Sequence, residues 1–309
     1  MSSTRTTRRR RAFVAAGSVL TMTALAACSS VDNGGSGDGE GSTLQSIKDA
    51  GTVTVAFNGE KPYSYEDGGE LTGATIALDK EIFGALGVDD VEGVQTEWNS
   101  LIPGLNADRY DTVSAGMSIL PDRCEQAAFA EPTIMYTTAF LVPKGNPDKL
   151  TDWQSVEGSD LTIAVTSGAI EDGYAKDTGV KTITVGDSTD GLNAVVTGRA
   201  DAFALTGISI RALADSTDED VEATDAFVAT IKGVPQLGAG SEVFRKGDTE
   251  LLDAYNKELA RFTGDKDKWL EVMEPFGFTE AEFPPDGLTA EMLCDGDLKK
   301  ISDELGLES

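Results

Sequence analysis

The sequence of 309 residues contains no histidine, only three cysteines, and fewer than half as many basic as acidic residues. Histidine is the side chain most often used near pH 7 as a general base, and it is the commonest transition-metal ligand. Catalytic triads built on His and His-ligated zinc are therefore excluded. The 25 Lys and Arg against 53 Asp and Glu give a formal net charge of −28. Because such a surface repels phosphate backbones, we expect no nucleic-acid partner.

No motif in the sequence names a metal or a cofactor, and no set of side chains has the pattern of a catalytic site. The acidic run from Asp215 to Asp220 is more typical of a solvated edge than of a Ca²⁺ loop, because it lacks regular ligand spacing. We therefore predict no catalytic residues, no metal site and no cofactor.

The first 27 residues have the pattern of an export signal. Arg8 to Arg11 precede an uncharged stretch from Ala12 to Ala27. Sixteen residues rise about 24 Å as a helix, which is short of the roughly 30 Å hydrocarbon core of a bilayer. A basic head, a short apolar middle and small residues at the end predict a secretory signal peptide over residues 1–27. The pair Arg10-Arg11 resembles a twin-arginine signal, although general secretion tolerates the same basic head.

The residues after the signal predict a tethered lipoprotein. Leu25-Ala26-Ala27-Cys28 resembles a bacterial lipobox, which would make Cys28 the lipidated first residue of the mature protein. A plain signal peptide followed by an incidental cysteine is the alternative. Residues 28–43 are rich in Gly, Ser and acid and are typical of a flexible linker. We therefore expect an extracytoplasmic protein anchored to the outer face of the cytoplasmic membrane.

The other two cysteines fit that compartment. Cys124 and Cys294 are an even pair in an oxidising location, so we predict that they form a disulfide. Two free, buried thiols are the alternative.

The body of the chain alternates strand-like and helix-like segments, which predicts parallel sheets with helices on both faces. The predicted strands are 52–57, a strand from 94, 112–115, 162–165, 182–185 and 202–205, and the predicted helices are 44–51, 73–86, 101–107, 170–176, 189–197, 251–262 and 269–276. A turn-rich break at 143–147 separates two such units. The segments 138–142 and 242–245 have the pattern of crossings between them.

Two crossings imply that one lobe is inserted into the other. We predict that residues 44–142 and 238–309 form lobe 1 and that residues 143–237 form lobe 2. A cleft between two lobes with a hinge is a common place for a small-molecule site.

Several segments resemble the polar amino-acid (family 3) solute-binding proteins of ABC importers. They are GMSILPDRC at 116–124, AFAEP at 128–132, GRADA at 198–202 and EPFGF at 274–278. The resemblance covers about residues 44–295. It implies a two-lobed, type II periplasmic-binding-protein-like α/β fold, with two doubly wound lobes joined by a two-strand hinge. It also implies a monomer that delivers a small-molecule ligand to the permease subunits of an ABC transporter.

Within that family the chain is most similar to the ectoine and hydroxyectoine binders. The segments that carry this narrower resemblance are 58–63, 96–105, 121–124, 144–147, 168–171 and 293–294. It implies a compact ligand that carries a carboxylate and a delocalised cation. A polar amino acid is the alternative ligand.

The resemblance assigns roles to particular side chains. Arg123 can pair bidentately with a carboxylate, for which a guanidinium is better suited than an ammonium. Glu60, just after a predicted strand, can accept ring N–H groups, and the rings of Tyr63 and Trp98 can face a diffuse cation. In the alternative interpretation Arg123 is a surface salt-bridge partner of a nearby glutamate, and the two aromatics are ordinary core residues.

In the second lobe the sequence departs from the amino-acid binders of the family. Thr206 stands where those proteins carry an aspartate that holds the ligand ammonium, and a hydroxyl cannot neutralise a buried primary ammonium. Ala169 and Ile170 replace hydroxyl residues, which leaves backbone N–H groups near Gly168 for a carboxylate. Both departures favour a ligand with a diffuse cation.

Ser118 is a departure from the ectoine binders, which place an aromatic at this position to complete a three-walled cage. One wall is therefore missing unless another ring fills it. The candidates for that ring are Phe57, Tyr65, Tyr136 and Phe203.

Two other classes of function remain open. An exported enzyme on the same fold, such as a cyclohexadienyl-dehydratase-like lyase, could use Glu60 as an acid or base. A sensory or adhesive surface protein without transport is the third class. Because an Arg and aromatic set recognises a ligand without reacting, we expect a binding protein and not an enzyme.

Overall fold

A computed structural model describes residues 42–306. The predicted signal peptide, the predicted lipidation site Cys28 and most of the predicted linker lie outside the described residues. No helix within 42–306 combines the length and the apolar character that are needed to cross a membrane.

The first lobe is assembled from chain segments on both sides of the second lobe. Its elements are α1 (Thr43–Ala50), β1 (Thr52–Phe57), β2 (Tyr65–Asp67), β3 (Glu70–Thr72), α2 (Ala74–Ala85), β4 (Asp90–Gln95), α3 (Leu101–Leu105), β5 (Thr112–Ser118), α4 (Pro121–Cys124), β6 (Ala128–Phe129), β7 (Ile134–Tyr136) and, after the second lobe, β15 (Gly238–Phe244), α8 (Thr249–Thr263), α9 (Lys266–Met273), α10 (Ala290–Asp295) and α11 (Leu298–Leu305). The main sheet has the order β4-β1-β5-β15-β6, and β7 also pairs with β15. Strands β2 and β3 form a separate hairpin.

The second lobe is continuous in the chain. Its elements are β8 (Thr138–Pro143), β9 (Ile163–Thr166), α5 (Ile170–Thr178), β10 (Thr182–Val185), α6 (Ser188–Val196), β11 (Ala202–Thr206), α7 (Gly207–Asp215), β12 (Val221–Ala223), β13 (Thr230–Ile231) and β14 (Val234–Pro235). The sheet has the order β10-β9-β11-β8-β12, and β13 pairs with β14 alone. Short 3₁₀ turns occur at Trp98–Ser100, Trp153–Ser155, Glu274–Phe276 and Glu280–Glu282.

The two-lobed α/β architecture is confirmed, but the sheets are mixed where the sequence predicted parallel ones. Three strands in each sheet are parallel, β4-β1-β5 in the first lobe and β10-β9-β11 in the second. Strands β15 and β8 join these sets antiparallel. Each of the two enters its lobe directly from the other lobe, without the crossover helix that a parallel connection requires.

The two crossings lie side by side. Tyr136 ends β7 in the first lobe and Thr138 begins β8 in the second, while Gly238 at the start of β15 pairs with Tyr136. Because 138–143 pairs within the second sheet, the first crossing precedes Thr138, several residues earlier than the sequence pattern indicates. The two adjacent segments connect the lobes as a hinge.

Both faces of each sheet are covered. In the first lobe α1, α2 and α8 pack on one face, and α3, α10 and α11 pack on the other. In the second lobe α5 covers one face, and α6 and α7 cover the other. The central strand β5 is buried along its whole length, as expected for a strand between two helical layers. Because helices cover both faces of each sheet, the polar side chains of the candidate site lie at the carboxyl ends of the strands.

Candidate functional site

The side chains between the lobes follow the carboxyl ends of parallel strands, where open α/β sheets bind ligands. In the first lobe Glu60 and Tyr63 come after β1, Trp98 after β4, and Ser118 ends β5. In the second lobe Glu171 follows β9. Thr206 is the last residue of β11. Because the two sheets direct these ends at each other, residues distant in the sequence enclose one cavity.

The cavity contains about 360 Å³ of empty space including its mouth. Its lining is shared by the two lobes and consists of Glu60, Tyr63, Trp98, Ala115, Gly116, Ser118, Thr166, Ala169, Ile170, Glu171, Leu205 and Thr206. A larger opening of about 1040 Å³ adjoins it on the side of Arg123 and Gly168. All eight residues that were predicted from the sequence to bind the ligand therefore lie in or beside the inter-lobe space.

A chain of hydroxyl groups connects Glu60 to the second lobe. The Tyr63 hydroxyl donates to Thr206 Oγ1 at 3.1 Å, and the Thr206 hydroxyl donates to Ser209 Oγ at 3.1 Å. The Ser209 hydroxyl donates in turn to Glu60 Oε1 at 2.6 Å. Since Tyr63 and Glu60 belong to one lobe and the other two to its neighbour, the chain crosses the cleft twice and holds it closed.

Arg123 bridges the lobes at the other end of the cavity. It is 7% exposed, and it donates from Nη1 to the Ser118 carbonyl at 2.9 Å and from Nη2 to the Gly168 carbonyl at 2.8 Å. Its guanidinium stacks on the Trp98 ring, 5.4 Å from the centroid. Burial lowers the pKa of Arg123 from its ordinary value. No carboxylate of residues 42–306 forms an ion pair with it, so the buried charge lacks a counter-ion.

Two glycines allow the close approach of the lobes and of the cavity floor. Gly168 has a φ of 76°, and a Cβ there would lie 2.4 Å from Asn99 Oδ1. Gly116 has a φ of 54°, and a Cβ there would lie 2.6 Å from the Tyr63 ring. At both positions a side chain would be strained by the backbone and would also collide with a neighbour.

The backbone of Gly168 is already bonded within the protein. Its N–H donates to Asp172 Oδ2 at 3.0 Å, and its carbonyl accepts from Trp98 Nε1 at 3.3 Å as well as from Arg123. The sequence interpretation offered backbone N–H groups near Gly168 to a ligand carboxylate. The N–H of Gly168 itself instead fixes the loop against α5.

Glu171 is the acid of the site that sequence reasoning missed. It is fully buried on the first turn of α5 and lines the cavity. Its Oε1 accepts from the Thr138 hydroxyl at 3.3 Å, and its Oε2 has no hydrogen-bond partner. Burial raises the pKa of Glu171 to about 8, and burial also raises the pKa of Glu60 above its ordinary value. An acid in the first turn of a helix is usually explained by its favourable interaction with the helix dipole. Nothing in the sequence therefore indicated that the Glu171 side chain faces the cavity.

The aromatic wall that Ser118 lacks is not supplied by the proposed substitutes. The rings that line the cavity are Tyr63 and Trp98. Tyr136 lies behind the floor, where its hydroxyl donates to the Gly116 carbonyl and its ring packs edge-on against Tyr63 with centroids 5.9 Å apart. The other three candidates do not line the cavity; they are Phe57, Tyr65 and Phe203. The site is therefore a two-walled aromatic pocket.

A disulfide lies directly behind Arg123. Cys124 and Cys294 are bonded, with Cα atoms 5.7 Å apart, and join α4 to α10. The predicted disulfide is confirmed, and the alternative of two free thiols is wrong.

Comparison with known proteins places the chain in a family. Residues 53–272 match the bacterial extracellular solute-binding proteins, family 3. A probable amino-acid ABC transporter periplasmic-binding protein of Sinorhizobium fredii is 33% identical over 258 residues, which are 81% of this chain and 85% of that protein. The L-cystine-binding protein TcyA of Bacillus subtilis is 28% identical over 83% of this chain and 93% of its own length.

Solved structures agree with this placement. The crystal structure of EhuB in complex with hydroxyectoine is similar with a TM-score of 0.73 and 31% identity, over 82% of this chain and 98% of EhuB. An ancestral amino acid-binding protein, described as a precursor of cyclohexadienyl dehydratase, has a TM-score of 0.66 and 30% identity over 76% and 99% of the two chains. A two-lobed fold, a polar cavity between the lobes and these matches identify the chain as a member of the bacterial extracellular solute-binding proteins of family 3.

Proposed function

We propose that this protein is the extracytoplasmic substrate-binding component of an ABC importer and that it carries a compact zwitterion with a delocalised cation, ectoine or hydroxyectoine, to the permease. One observation carries the proposal. The cavity between the lobes is lined by the half-buried Glu60, the buried Glu171 and two aromatic rings, and the buried guanidinium of Arg123 lines the opening that adjoins it. This set can satisfy both charges of such a molecule.

Arg123 is proposed to bind the carboxylate of the ligand. The guanidinium has five N–H donors, and the structure uses two of them on backbone carbonyls. The remaining donors are available for a carboxylate, and a buried cation without a counter-ion gains most from receiving one. The Trp98 ring beneath the guanidinium limits the directions from which the carboxylate can approach.

Glu60 and Glu171 are proposed to receive the cationic part. The free Oε2 of Glu171 can accept an N–H of the ligand, and Glu60 faces the same cavity from the other lobe. The rings of Tyr63 and Trp98 supply π faces, each worth about 0.5–2 kcal/mol to a desolvated cation. A cation spread over several atoms can contact all of these groups at once.

A polar amino acid is a second candidate ligand, and Glu171 is the observation that favours it. The neutral Thr206 removes the usual counter-charge for an α-ammonium, but Glu171 restores a buried acid in the same lobe. The relatives named as amino-acid transport proteins are consistent with this second ligand class.

Closure of the lobes is proposed to signal the bound state to the permease. The cross-cleft bonds of Glu60, Trp98 and Arg123 are made in the closed arrangement, and a ligand that contacts both lobes stabilises it further. In this proposal the protein acts as a monomer and is held at the outer face of the cytoplasmic membrane by a lipid on Cys28.

We propose a binding role without catalysis. The relatives are transport-binding proteins, and the ancestral neighbour is described as amino acid-binding. Turnover of arogenate or prephenate by the purified protein would overturn this assignment.

Calorimetric titration of the purified protein tests the ligand. Ectoine and hydroxyectoine are compared with glycine betaine, L-arginine and L-glutamate. We expect the two ectoines to bind most tightly, and we expect Arg123→Ala to weaken that binding by about 100-fold, since it removes a buried charge partner. Arg261→Ala is the matched control, because Arg261 is exposed on α8 and pairs with Glu258. Tightest binding of L-arginine or L-glutamate would replace the ectoine proposal with the amino-acid one.

A further inference from the structure

We propose that the Cys124–Cys294 disulfide, together with the contact between Pro121 and Gly296, positions Arg123 for the ligand by fastening α4 to α10. The proposal rests on the ligand-binding role of Arg123 proposed above. Cys124 and Cys294 would then be positioning residues, since they would not touch the ligand.

Helix α4 has little stability of its own. It is one turn of four residues, Pro121–Cys124, and its N-cap residue Leu120 makes no side-chain capping bond. A single helical turn is unstable in isolation, because nucleation fixes several dihedral angles for one hydrogen bond. Arg123 is its buried residue, while Pro121 and Asp122 are exposed. The chain beyond it is held by Ala127, which is buried in the core of the first lobe, and by a bond from Asn106 Nδ2 to the Gln126 carbonyl at 3.1 Å.

Helix α10, in contrast, is firmly attached to the first lobe. Leu293 is 2% exposed and belongs to the core beneath the main sheet. The Thr289 side chain caps the helix by accepting from the Met292 N–H, and the Ala290 N–H donates to Glu131 Oε2 at 3.0 Å. A helix fixed at its N-terminus and along its buried face can act as a rigid support.

Two contacts attach α4 to this rigid support. The disulfide bonds Cys124, the residue next to Arg123, to the penultimate residue of α10. At the other end of α4, a Cβ on Gly296 would lie 2.6 Å from Pro121 Cγ, so the two segments are in direct contact. Contacts before and after Arg123 fix the direction of its Cα–Cβ bond.

Arg123 needs that fixed direction because its three partners lie on different elements. The guanidinium must reach the Ser118 carbonyl on β5, the Gly168 carbonyl in the second lobe and the Trp98 ring. A long side chain without an ordered base loses conformational entropy each time it binds. A pre-ordered base removes part of that loss from the free energy of ligand binding.

The first test needs no ligand. In the full-length protein labelled with ¹⁵N, the three Trp indole N–H resonances are compared between wild type and Cys124→Ser/Cys294→Ser. Trp98 donates to the Gly168 carbonyl beside Arg123, whereas Trp153 and Trp269 are buried elsewhere. We expect the Trp98 resonance to shift or broaden while the other two stay in place. A Trp98 resonance that does not move would overturn the proposal.

The second test is a double-mutant cycle on affinity for hydroxyectoine. We expect Cys124→Ser/Cys294→Ser to weaken binding by about tenfold, the cost of re-ordering one long side chain. The same double substitution in an Arg123→Ala background should change affinity less than twofold, although its effect on melting temperature persists. A merely structural disulfide would lower affinity equally in both backgrounds, and that result would contradict the proposal.

A destabilised control separates positioning from folding. Ile47→Ala removes core contacts of α1, far from α4, and should lower the melting temperature without changing affinity. If Arg123→Ala weakens binding and the disulfide variant does not, the positioning proposal fails and the proposed function stands. If Arg123→Ala leaves binding unchanged, the proposed role of Arg123 fails, and the proposal that the disulfide positions Arg123 for the ligand fails with it.

Discussion

Two pairs of acids in the molecule have different surroundings. Glu60, which is half-buried, and Glu171, which is fully buried, line the inter-lobe cavity, and Glu171 Oε2 has no hydrogen-bond partner. Asp79 and Glu242 lie inside the first lobe and are 1% and 4% exposed. Burial raises the pKa of all four carboxyls.

The interior pair lies inside packed protein: hydroxyl groups bond to Asp79, while Glu242 Oε1 has no hydrogen-bond partner. Asp79 accepts from the hydroxyls of Ser114 and Tyr255, the latter at 2.7 Å. Burial raises the pKa of Asp79 to about 7, and burial and the neighbouring Asp79 raise the pKa of Glu242 well above its ordinary value. We infer that the pair retains at least one proton near pH 7, since two close carboxylates without a cation cannot both ionise easily.

The difference shows that burial alone does not identify a binding acid. Burial raises the pKa in both pairs, but the interior pair borders packed helices and strands, whereas the cleft pair borders empty space. The unused oxygen of Glu171 belongs to a residue that lines a cavity and can gain a bond from a ligand, whereas the unused oxygen of Glu242 lies inside packed protein.

The largest expected difference between the two pairs appears when one acid of each pair is replaced by its amide. Glu171→Gln should weaken ligand binding by about 100-fold, because it removes a buried counter-charge. Asp79→Asn should leave affinity unchanged within about twofold, since Asp79 lies outside the cavity lining. Calorimetry on both variants with hydroxyectoine measures this. Equal losses in the two variants would show that the two pairs do not differ in function.

The stability of the protein should depend on pH through the interior pair. The folded state raises the pKa of Asp79 from 3.8 to about 7, so it retains a proton that the unfolded chain releases. This contribution to stability is complete below the unfolded value and is lost as pH rises towards 7. Urea unfolding should show that the free energy of unfolding falls as the pH rises from about 4.5 to 7.5. In Asp79→Asn the fall over that range should be smaller by about 2 kcal/mol. The same pH dependence of stability in Asp79→Asn as in the wild type would contradict the retained proton.

Affinity should have the opposite pH dependence through the cleft pair. The pKa of Glu171 is about 8, so the carboxyl is largely protonated below that pH. A ligand cation favours the ionised form, and binding therefore releases a proton. Affinity for hydroxyectoine should rise by about tenfold between pH 6.5 and 8.5. Glu171→Gln should abolish the dependence and Asp79→Asn should retain it; calorimetry in buffers of different ionisation enthalpy measures the released proton.

The smallest expected effect concerns the hydroxyl chain that closes the cleft. Ser209→Ala removes the donor to Glu60 and should weaken ligand binding by about threefold, the size expected for one hydrogen bond. Ser216→Ala, on the residue that caps the end of the same helix, is the control, because within residues 42–306 its hydroxyl donates only to the nearby Leu213 carbonyl. If both variants bind like the wild type, the chain does not stabilise the closed state.

Much of the fold could be predicted from local patterns. Strands Thr52–Phe57 and Thr182–Val185 lie where the sequence indicates, because each is a short β-branched run bounded by turn residues or glycine. The antiparallel entries of β8 and β15 could not be predicted in the same way. The direction of a strand in a sheet depends on the end of the sheet at which the chain enters, and the residues of a short apolar strand do not specify that end.

The site residues could be predicted where a sequence motif identifies them. They could not be predicted where their role depends only on their position in the folded protein. Arg123 and Trp98 stand in recognisable segments, and the structure brings them into contact. Glu171 and Ser209 occupy helical positions that are usually exposed. Their roles depend on how the second lobe is turned towards the first, which is a property of the hinge.

The sequence by itself determined the family, the two-lobed α/β class, the absence of histidine chemistry and the cysteine pair that forms the disulfide. These follow from composition, local periodicity and short motifs, which do not require knowledge of distant contacts. Only the tertiary structure decided which of the 53 acidic residues line the cavity and that Gly296 packs against Pro121 beside the turn bearing Arg123. Both depend on packing between segments more than a hundred residues apart, and no local pattern specifies such contacts.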